Sequence, residues 1–573
     1  MDSKNEVDSS QEKQFPSTVT QPRRQELKSF HNSHGGSISN RPGSEAASPI
    51  GDSSLGSLGR RQTVVTVTAL CLSVFLAALD VTIITTPLPT IAAEFHASEK
   101  GYVWIGSSFI LATAASSPIW GKFSDIWGRK AMLILANMFF LAGSLISALS
   151  VNLETLITGR TIQGIGSGGI MVMANTCVGD LFNVRQRPIY FGLFGLIWAV
   201  ASAIGPVIGG VFTEKATWRW CFYINLPVDG VALIMLVFFF KLKTPRMSLW
   251  LGLHAVDWIG VLTITSGTVI FLLGLEFGGT DYPWLSPAVI CLVAFGVILI
   301  GLFVLYEWKY ARQPLIPVRI FRNWSVVAVF AITFIHGATF IAGSYFLPLY
   351  FQTALAKTPI SSGVYLLPYA VSLSIASSLT GLFIRKTARY VDAIQFGMVA
   401  MTLGFGLFID LKPYESWPRL AIYQIIAGLG GGPNFEAPLI ALYAIVDHQE
   451  MASTTSTFGF VRQMSQAVSI VIGGVIFQSG MKSRRSSLVD ILGSDAATKQ
   501  ISASASTLTA FDDALSESDR ARLSGVYTKS FATVWIFYAV FSGIGTIISV
   551  FVKRHRLESA DRPPEASSEA QFC

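Results

Sequence analysis

The chain has 573 residues, 51% hydrophobic and 13% charged, with a mean hydropathy of +0.52 and a formal net charge of +7. Soluble domains carry about 25% charged residues, so this composition excludes a chain made only of water-soluble domains. The positive balance needs no nucleic-acid partner, because the excess Lys and Arg gather in one set of loops.

Residues 1–61 are rich in Ser, Gly, Pro, Gln and charge, which predicts a disordered tail. Beyond it, apolar runs recur that are long enough to cross about 30 Å of hydrocarbon. Fourteen are predicted, near 64–90, 102–121, 131–150, 154–178, 188–212, 220–240, 256–275, 286–307, 324–350, 360–383, 391–410, 417–446, 453–478 and 530–552. The first begins after a long polar segment and exceeds the apolar core of a cleaved signal. Residues 479–529 read as a long polar loop with some helical tendency, and 553–573 as a polar tail.

Lys and Arg set the expected orientation. Arg60, Arg61, Lys122, Arg129, Lys130, Arg185, Arg187, Lys241, Lys243, Arg246, Lys309, Arg312, Arg319, Arg322, Arg385, Lys386, Arg389, Lys553, Arg554 and Arg556 fall in alternate segments, which are therefore inner. The short outer loops hold only Lys100, Lys215, Arg219, Lys357, Lys412 and Arg419. An even number of spans then leaves both termini in the cytosol and residues 479–529 outside. The five cysteines form no disulfide framework or metal-ligand spacing. The sequon Asn323-Trp324-Ser325 falls in an inner loop, so no glycosylation is expected.

Several residues stand out against the apolar background. Asp80 sits in the middle of the first run and either takes up a proton or makes a structural hydrogen bond to a neighbouring helix. The loop after the second run reads GKFSDIWGRK. Gly121 and Gly128 allow tight turns, and Asp125 can pair with Arg129 four residues on or cap a helix end. In the fourth run, GRTIQGIGSGG places Arg160 among apolar residues, where it is paired or functional, or else snorkels to the surface. Gln163 is its polar neighbour.

The fifth run, GLFGLIWAVASAIGPVIGGVF, carries Gly205, Pro206, Gly209 and Gly210. Such residues weaken a helix but let another approach closely, and proline bends it, which predicts a close-packed hinge. In WRWCFYINLP, Arg219 and Asn225 read as structural. The twelfth run, GLGGGPNFEAPLIAL, buries Asn434 and Glu436 beside glycines that unwind the helix locally. Glu436 either binds a proton or a cationic substrate, or is satisfied by Arg462 of the next run. His336 reads as a hydrogen-bonding packer. Trp104, Trp198, Tyr345, Tyr350, Phe435 and Phe460 are candidates to line an apolar cavity.

The chain also repeats. GIGSGG at 164 matches GLGGGP at 428, VIGGVF at 207 matches VIGGVIF at 471, and GKFSDIWGR at 121 matches GLFIRKTAR at 381. The offset equals eight runs. It predicts a six-helix bundle over 62–241, a second over 323–552 and an inserted helix pair within 242–322, with a substrate pathway between the bundles. The second loop copy has Arg385 where the first has Asp125.

Over residues 62–556 these motifs resemble the major facilitator superfamily, and within it the fourteen-span drug:proton antiporters. The phrases FGFVRQMSQAVSIVIGGVIFQ and GLGGGPNFEAPLIAL are most similar to the filamentous-fungal members, which include multidrug and secondary-metabolite or toxin pumps. The resemblance implies an all-α polytopic membrane fold of fourteen transmembrane helices. It implies a charge latch at Asp125 and Arg129, proton handling near Arg160, and an antiporter hinge at Gly205–Gly210. The implied activity is proton-coupled efflux of small, largely apolar compounds by alternating access, with Asp80, Arg160 and Glu436 in proton coupling. Gln163, Asn434 and Arg462 would line the cavity. No phosphate-binding loop is present, so the proton gradient is the expected energy source, with no cofactor, metal or enzymatic activity. A monomer in the plasma membrane is expected, the vacuolar membrane being the alternative. The competing readings are a proton-coupled importer or vacuolar carrier of siderophores or basic amino acids, and a nutrient sensor without flux.

Overall fold

The computed structural model describes residues 60–97, 99–183, 186–240, 249–278, 282–311, 314–447, 450–502 and 516–554. Most of the N-terminal tail, nearly all of the C-terminal tail, and Arg185, Lys241, Lys243, Arg246, Arg312 and Arg556 lie outside the described residues. Among the described residues the structure is helical apart from an isolated bridge between Gly278 and Tyr282.

The principal helices are α1 (Arg60–Ile83), α2 (Glu99–Trp127), α3 (Arg129–Ala148), α4 (Leu153–Leu181), α5 (Arg187–Lys215), α6 (Asn225–Phe239) and α7 (Trp258–Phe277). They continue as α8 (Pro287–Lys309), α9 (Trp324–Thr353), α10 (Pro359–Thr387), α11 (Tyr390–Leu407), α12 (Trp417–Gly431), α13 (Met451–Ser483) and α14 (Glu517–Ser549). Local chemistry sets several starts. Asn152, Asn323, Thr358 and Ser516 each accept a hydrogen bond from a backbone N–H in the first turn of the helix they precede. The asparagine of the sequon is thus the N-cap of α9.

Every predicted apolar run falls on a helix, and among the described residues 11 helices are long and apolar enough to cross a membrane. The other three runs fall short for visible reasons. The run on α4 is diluted by Gly, Ser and Asn, and part of the run on α2 lies outside the described side chains. The twelfth is broken into α12, a 3-10 turn over Gly432–Phe435 and a short helix over Ala437–Tyr443.

Glycines set how closely the helices approach. A Cβ on Gly143 of α3 would lie 2.3 Å from the backbone nitrogen of Gln163 on α4, and one on Gly164 of α4 would lie 2.4 Å from the carbonyl oxygen of Phe109 on α2. α1, α3, α6 and the α2–α4 pair form one packed group, and α9 with α11 to α14 another. The two groups meet most closely where α5 lies along α10 and where α2 lies along α13. α7 packs against α8 and α2.

The helical tendency of the long polar segment has a structural counterpart. Much of residues 479–529 is helical: α13 runs to Ser483, two helices follow over Arg485–Leu492 and Ser494–Ser502, and α14 starts at Glu517. Leu488, Ala497, Leu523 and Tyr527 are buried in one cluster with Phe531 and Trp535, so these polar-looking segments cover the bundle with an apolar face.

Candidate functional site

Asp80 is not a lone carboxylate. It lies on α1, wholly buried, and its Oδ2 accepts from Nη1 of Arg160 on α4, which is equally buried. The same Nη1 reaches Oε1 of Gln163 at 2.8 Å, and Gln163 donates through Nε2 to Ser144 Oγ on α3 at 2.8 Å. Asn225, the first residue of α6, donates through Nδ2 to Asp80 Oδ1 and to Ser144 Oγ, both at 3.1 Å. The Arg160 guanidinium also lies 4.4 Å from the ring centre of Phe109. The pairing removes the snorkelling alternative for Arg160. A buried ion pair needs further hydrogen bonds to offset its desolvation, and besides Gln163 and Asn225 the Nε of Arg160 donates to the Ile105 carbonyl at 3.3 Å.

A cavity lies where helices of both groups converge, lined by Val74, Asn175, Phe194, Trp198, Phe340, Phe435, Glu436, Phe458, Arg462 and Gln466 among others. The break after α12 builds its polar corner. Glu436, where regular helix stops, lies 3.8 Å from Nη1 of Arg462. Arg462 donates through Nη2 to the carbonyl of Phe435 and stands 5.1 Å and 4.4 Å from the ring centres of Phe435 and Phe458. Glu436 Oε2 and Arg462 Nε are buried with no partner, leaving one acceptor and one donor unused beside the cavity.

The remaining cavity expectations divide. Trp198 and Phe435 line it. Gln163 belongs to the Asp80 network instead, and Asn434 is turned toward α11, where a Cβ on Gly397 would lie 2.2 Å from its Nδ2. Trp104 packs on Phe277, Tyr345 is exposed, Tyr350 donates to the carbonyl of Lys412, and Phe460 belongs to a cluster with Ile126 and Val261. Periodicity could not separate these aromatics, because helices here have apolar residues on every face. His336 donates through Nε2 to the Gly431 carbonyl at 3.0 Å and stacks beside Phe340, as a packing residue.

The GKFSDIWGRK motif forms the turn between α2 and α3. Gly128 takes φ +90°, a conformation favouring glycine. Arg129 then bonds Asp125 at 2.5 Å, Ser124 Oγ at 2.9 Å and Asp180, at the end of α4, at 2.8 Å. Burial pushes the Asp125 carboxyl up from its ordinary value, against the opposing pull of Arg129. Gly121 serves another contact: a Cβ there would lie 2.5 Å from Ser456 Oγ and 2.9 Å from the Ala452 carbonyl, both on α13. Its repeat partner Gly381 lies against α5, with the Pro188 carbonyl 2.2 Å from a would-be Cβ. In that second copy Arg385 stands where Asp125 would be, and among the described residues the Arg389 guanidinium pairs only with Asp392, at 4.0 Å.

The glycines of α5 divide between two neighbours. Cβ atoms on Gly205 and Gly209 would strike Thr82 Oγ1 and the Ile83 carbonyl of α1. Cβ atoms on Gly192 and Gly195 would crowd Ser377 and Ser378 of α10. Gly210 is buried, and the helix continues through Pro206, whose carbonyl accepts from Thr86 Oγ1 at 2.9 Å. Arg219 pairs with Glu94 at 2.9 Å, a structural tie as expected.

Sequence reasoning missed Asp180 as the second partner of Arg129 and Asn225 as a donor to Asp80. It also passed over Asp229, buried one turn along α6 from Asn225 with neither oxygen bonded. An acid inside an apolar run is the signal that could have found Asp229.

A bundle of apolar helices around a cavity lined by aromatics, a carboxylate and a guanidinium is the architecture of a membrane transporter. The model of the Major Facilitator Superfamily matches residues 70–470. The efflux pump dotC of Dothistroma septosporum is 45% identical over 503 residues, covering 88% of this chain and 86% of that protein. The MFS-type transporter ppz2 of Metarhizium majus is 47% identical over 486 residues, covering 84% and 83%. The human organic anion transporter MFSD10 (TETRAN) shares the fold at a TM-score of 0.55 and 13% identity, with 86% of this chain and 99% of that one covered. The chain belongs to the Major Facilitator Superfamily. It is a multi-pass membrane protein that transports small molecules and is not an enzyme.

Proposed function

We propose that the chain exports small, largely apolar organic compounds, such as secondary metabolites, toxins or drugs, in exchange for protons. The observation that carries this reading is the cavity: its walls are largely apolar and aromatic, its charged corner is Glu436 with Arg462, and Asn175, Gln463 and Gln466 add neutral polar groups. Export rather than import is supported by the glycine and proline block that ties α5 to α1 and by the likeness to the efflux pump dotC.

Alternating access would operate between two six-helix bundles, 62–241 and 323–552, with 242–322 contributing an inserted pair and fourteen spans in all. Helix packing supports this division. The α5–α10 and α2–α13 contacts are exchanged by the sequence repeat, as expected for two equivalent halves rocking on one another. Substrate would enter from the cytosol or inner leaflet. A ligand drives such a change only by binding the two conformations differently. Asp80 and Glu436 are the proposed proton carriers, with Arg160, the ion-pair partner of Asp80, tuning the site. Asp125, Arg129 and Asp180 form the latch that opens and remakes during the cycle. Both termini would lie in the cytosol, and the protein would work as a monomer in the plasma membrane without a cofactor.

The test is accumulation of fluorescent lipophilic compounds in a pump-deficient yeast carrying this chain, its Asp80→Asn variant or empty vector. Lower accumulation that disappears with a protonophore is expected, as is its loss in the variant. Unchanged accumulation of every compound, with the protein at the cell surface, would overturn broad export. Export that ignores the protonophore would overturn proton exchange.

A further inference from the structure

Asp229 lies on α6, four residues after Asn225 and so on the same face of the helix. It is fully buried, and neither carboxyl oxygen has a hydrogen-bond partner. α6 packs on α1, on α3 and against the short helix Trp220–Tyr223. The ionisable groups of these elements are few. α1 offers Arg60, Arg61, Cys71 and Asp80; α3 offers only Arg129 and Lys130, in its first turn; the short helix offers Cys221 and Tyr223. Lys130 is occupied with the Val237 carbonyl at 2.7 Å, Arg129 with Asp125 and Asp180, and Arg160 with Asp80.

A carboxylate cannot stay charged in such surroundings. Without a counter-charge or donor, a buried acid takes a proton. Asp80 is the opposite case, bonded through both oxygens to Arg160 and Asn225. The two acids are linked through Asn225, whose amide nitrogen divides its two hydrogens between Asp80 and Ser144. It has none left for Asp229. If Asp80 were protonated its hold on that amide would weaken from a charge-assisted to a neutral hydrogen bond, and the amide could then turn to the next carboxyl along the helix.

We propose that Asp229 is a second proton-binding site, filled while Asp80 is ion-paired and emptied when Asp80 becomes neutral, with Asn225 serving one carboxyl at a time. The step is a plain protonation: an O–H bond forms on one Asp229 oxygen, and no electron is transferred. The occupancy stands independently of the proton-exchange reading, whereas its use in transport rests on that reading.

Infrared spectroscopy of the full chain in proteoliposomes, labelled isotopically on aspartate carboxyls, reads the site directly at neutral pH. A protonated-aspartate band is expected in the parent chain. Asp229→Glu should remove it and create the matching band under glutamate labelling. Asp80→Asn, which mimics a neutral Asp80, should reduce it several-fold. If Asp229→Glu does not fold, the nearly isosteric Asp229→Asn should abolish the band in the same measurement. A band that ignores substitution of Asp229, or that is unchanged in Asp80→Asn, overturns the proposal. Transport insensitive to a protonophore, with the band still following Asp229 and Asp80, would sink the exchange reading and leave this site intact.

Discussion

Arg160 and Asp80 sit on different helices, yet they meet with neither side chain exposed to any useful extent, at 1% and 0%. Removing one partner of such a pair leaves a charge that nothing satisfies, at a cost of about 3–5 kcal/mol. Asp80→Asn and Arg160→Ala should therefore each lower thermal stability in detergent. The double variant Asp80→Asn with Arg160→Gln should recover much of that loss, because both charges are gone, and yet should not transport. Recovery of transport along with stability would mean that the pair only holds the helices together.

Gly121 tests the contact between α2 and α13. Valine there would bring carbon within 3 Å of Ser456 and the Ala452 carbonyl. The helices must part, so transport should fall at least tenfold while the protein still folds. A cysteine pair placed across Gly121's neighbours and α13 should cross-link in the parent chain and much less in Gly121→Val. Equal cross-linking would show that the helices absorb the extra bulk.

Much of this fold was legible because each helix in a bilayer must satisfy its own backbone, which leaves long apolar runs in the sequence. The glycine blocks were legible as close approaches, since only the lack of a side chain allows them. Partners were not. Asp80 and Arg160 are 80 positions apart, and Asn225 a further 65 on from Arg160, so only the assembled bundle identifies them as one network. Asn434 and Glu436 are two residues apart and looked equivalent in sequence. The 3-10 turn faces one toward α11 and the other into the cavity. The segment 479–529 showed its helical tendency but not its packing, because its buried residues are sparse enough to look polar overall while still covering an apolar surface.

Arg462 has a two-sided role that substitution can divide. Its Nη2 holds the carbonyl of Phe435, and its Nε and the Oε2 of Glu436 are unused beside the cavity. Arg462→Lys keeps the charge but loses the planar fork, and so should raise the half-saturating substrate concentration about tenfold with little change in maximal rate. Glu436→Gln keeps the shape and removes the charge, and should instead flatten the dependence of export on the pH gradient. The same change in both variants would assign the two residues a single structural job.

The far end of the second helix group carries an exposed cluster whose pH behaviour can be worked out. Lys357 donates to Glu415 at 2.7 Å, and Tyr365 donates to the same carboxylate. The Lys357 hydrogen bond holds the Glu415 carboxyl below its ordinary value of 4.5, and Glu415 holds the Lys357 ammonium above its ordinary 10.5. The lowered acid contributes stability that is present above about pH 4.5 and is lost as pH falls through its folded value. The raised base contributes stability that is present below about pH 10.5 and is lost as pH rises through its own. Both groups are well exposed, so solvent screens the effect and the contribution is small. Glu415→Gln should therefore melt slightly below the parent chain by a constant margin between about pH 6 and pH 9. That margin should close at acid pH, where the parent loses the same interaction. High salt should narrow it at every pH. A margin that persists undiminished into acid would show that the pair contributes through packing against Tyr365 rather than through charge.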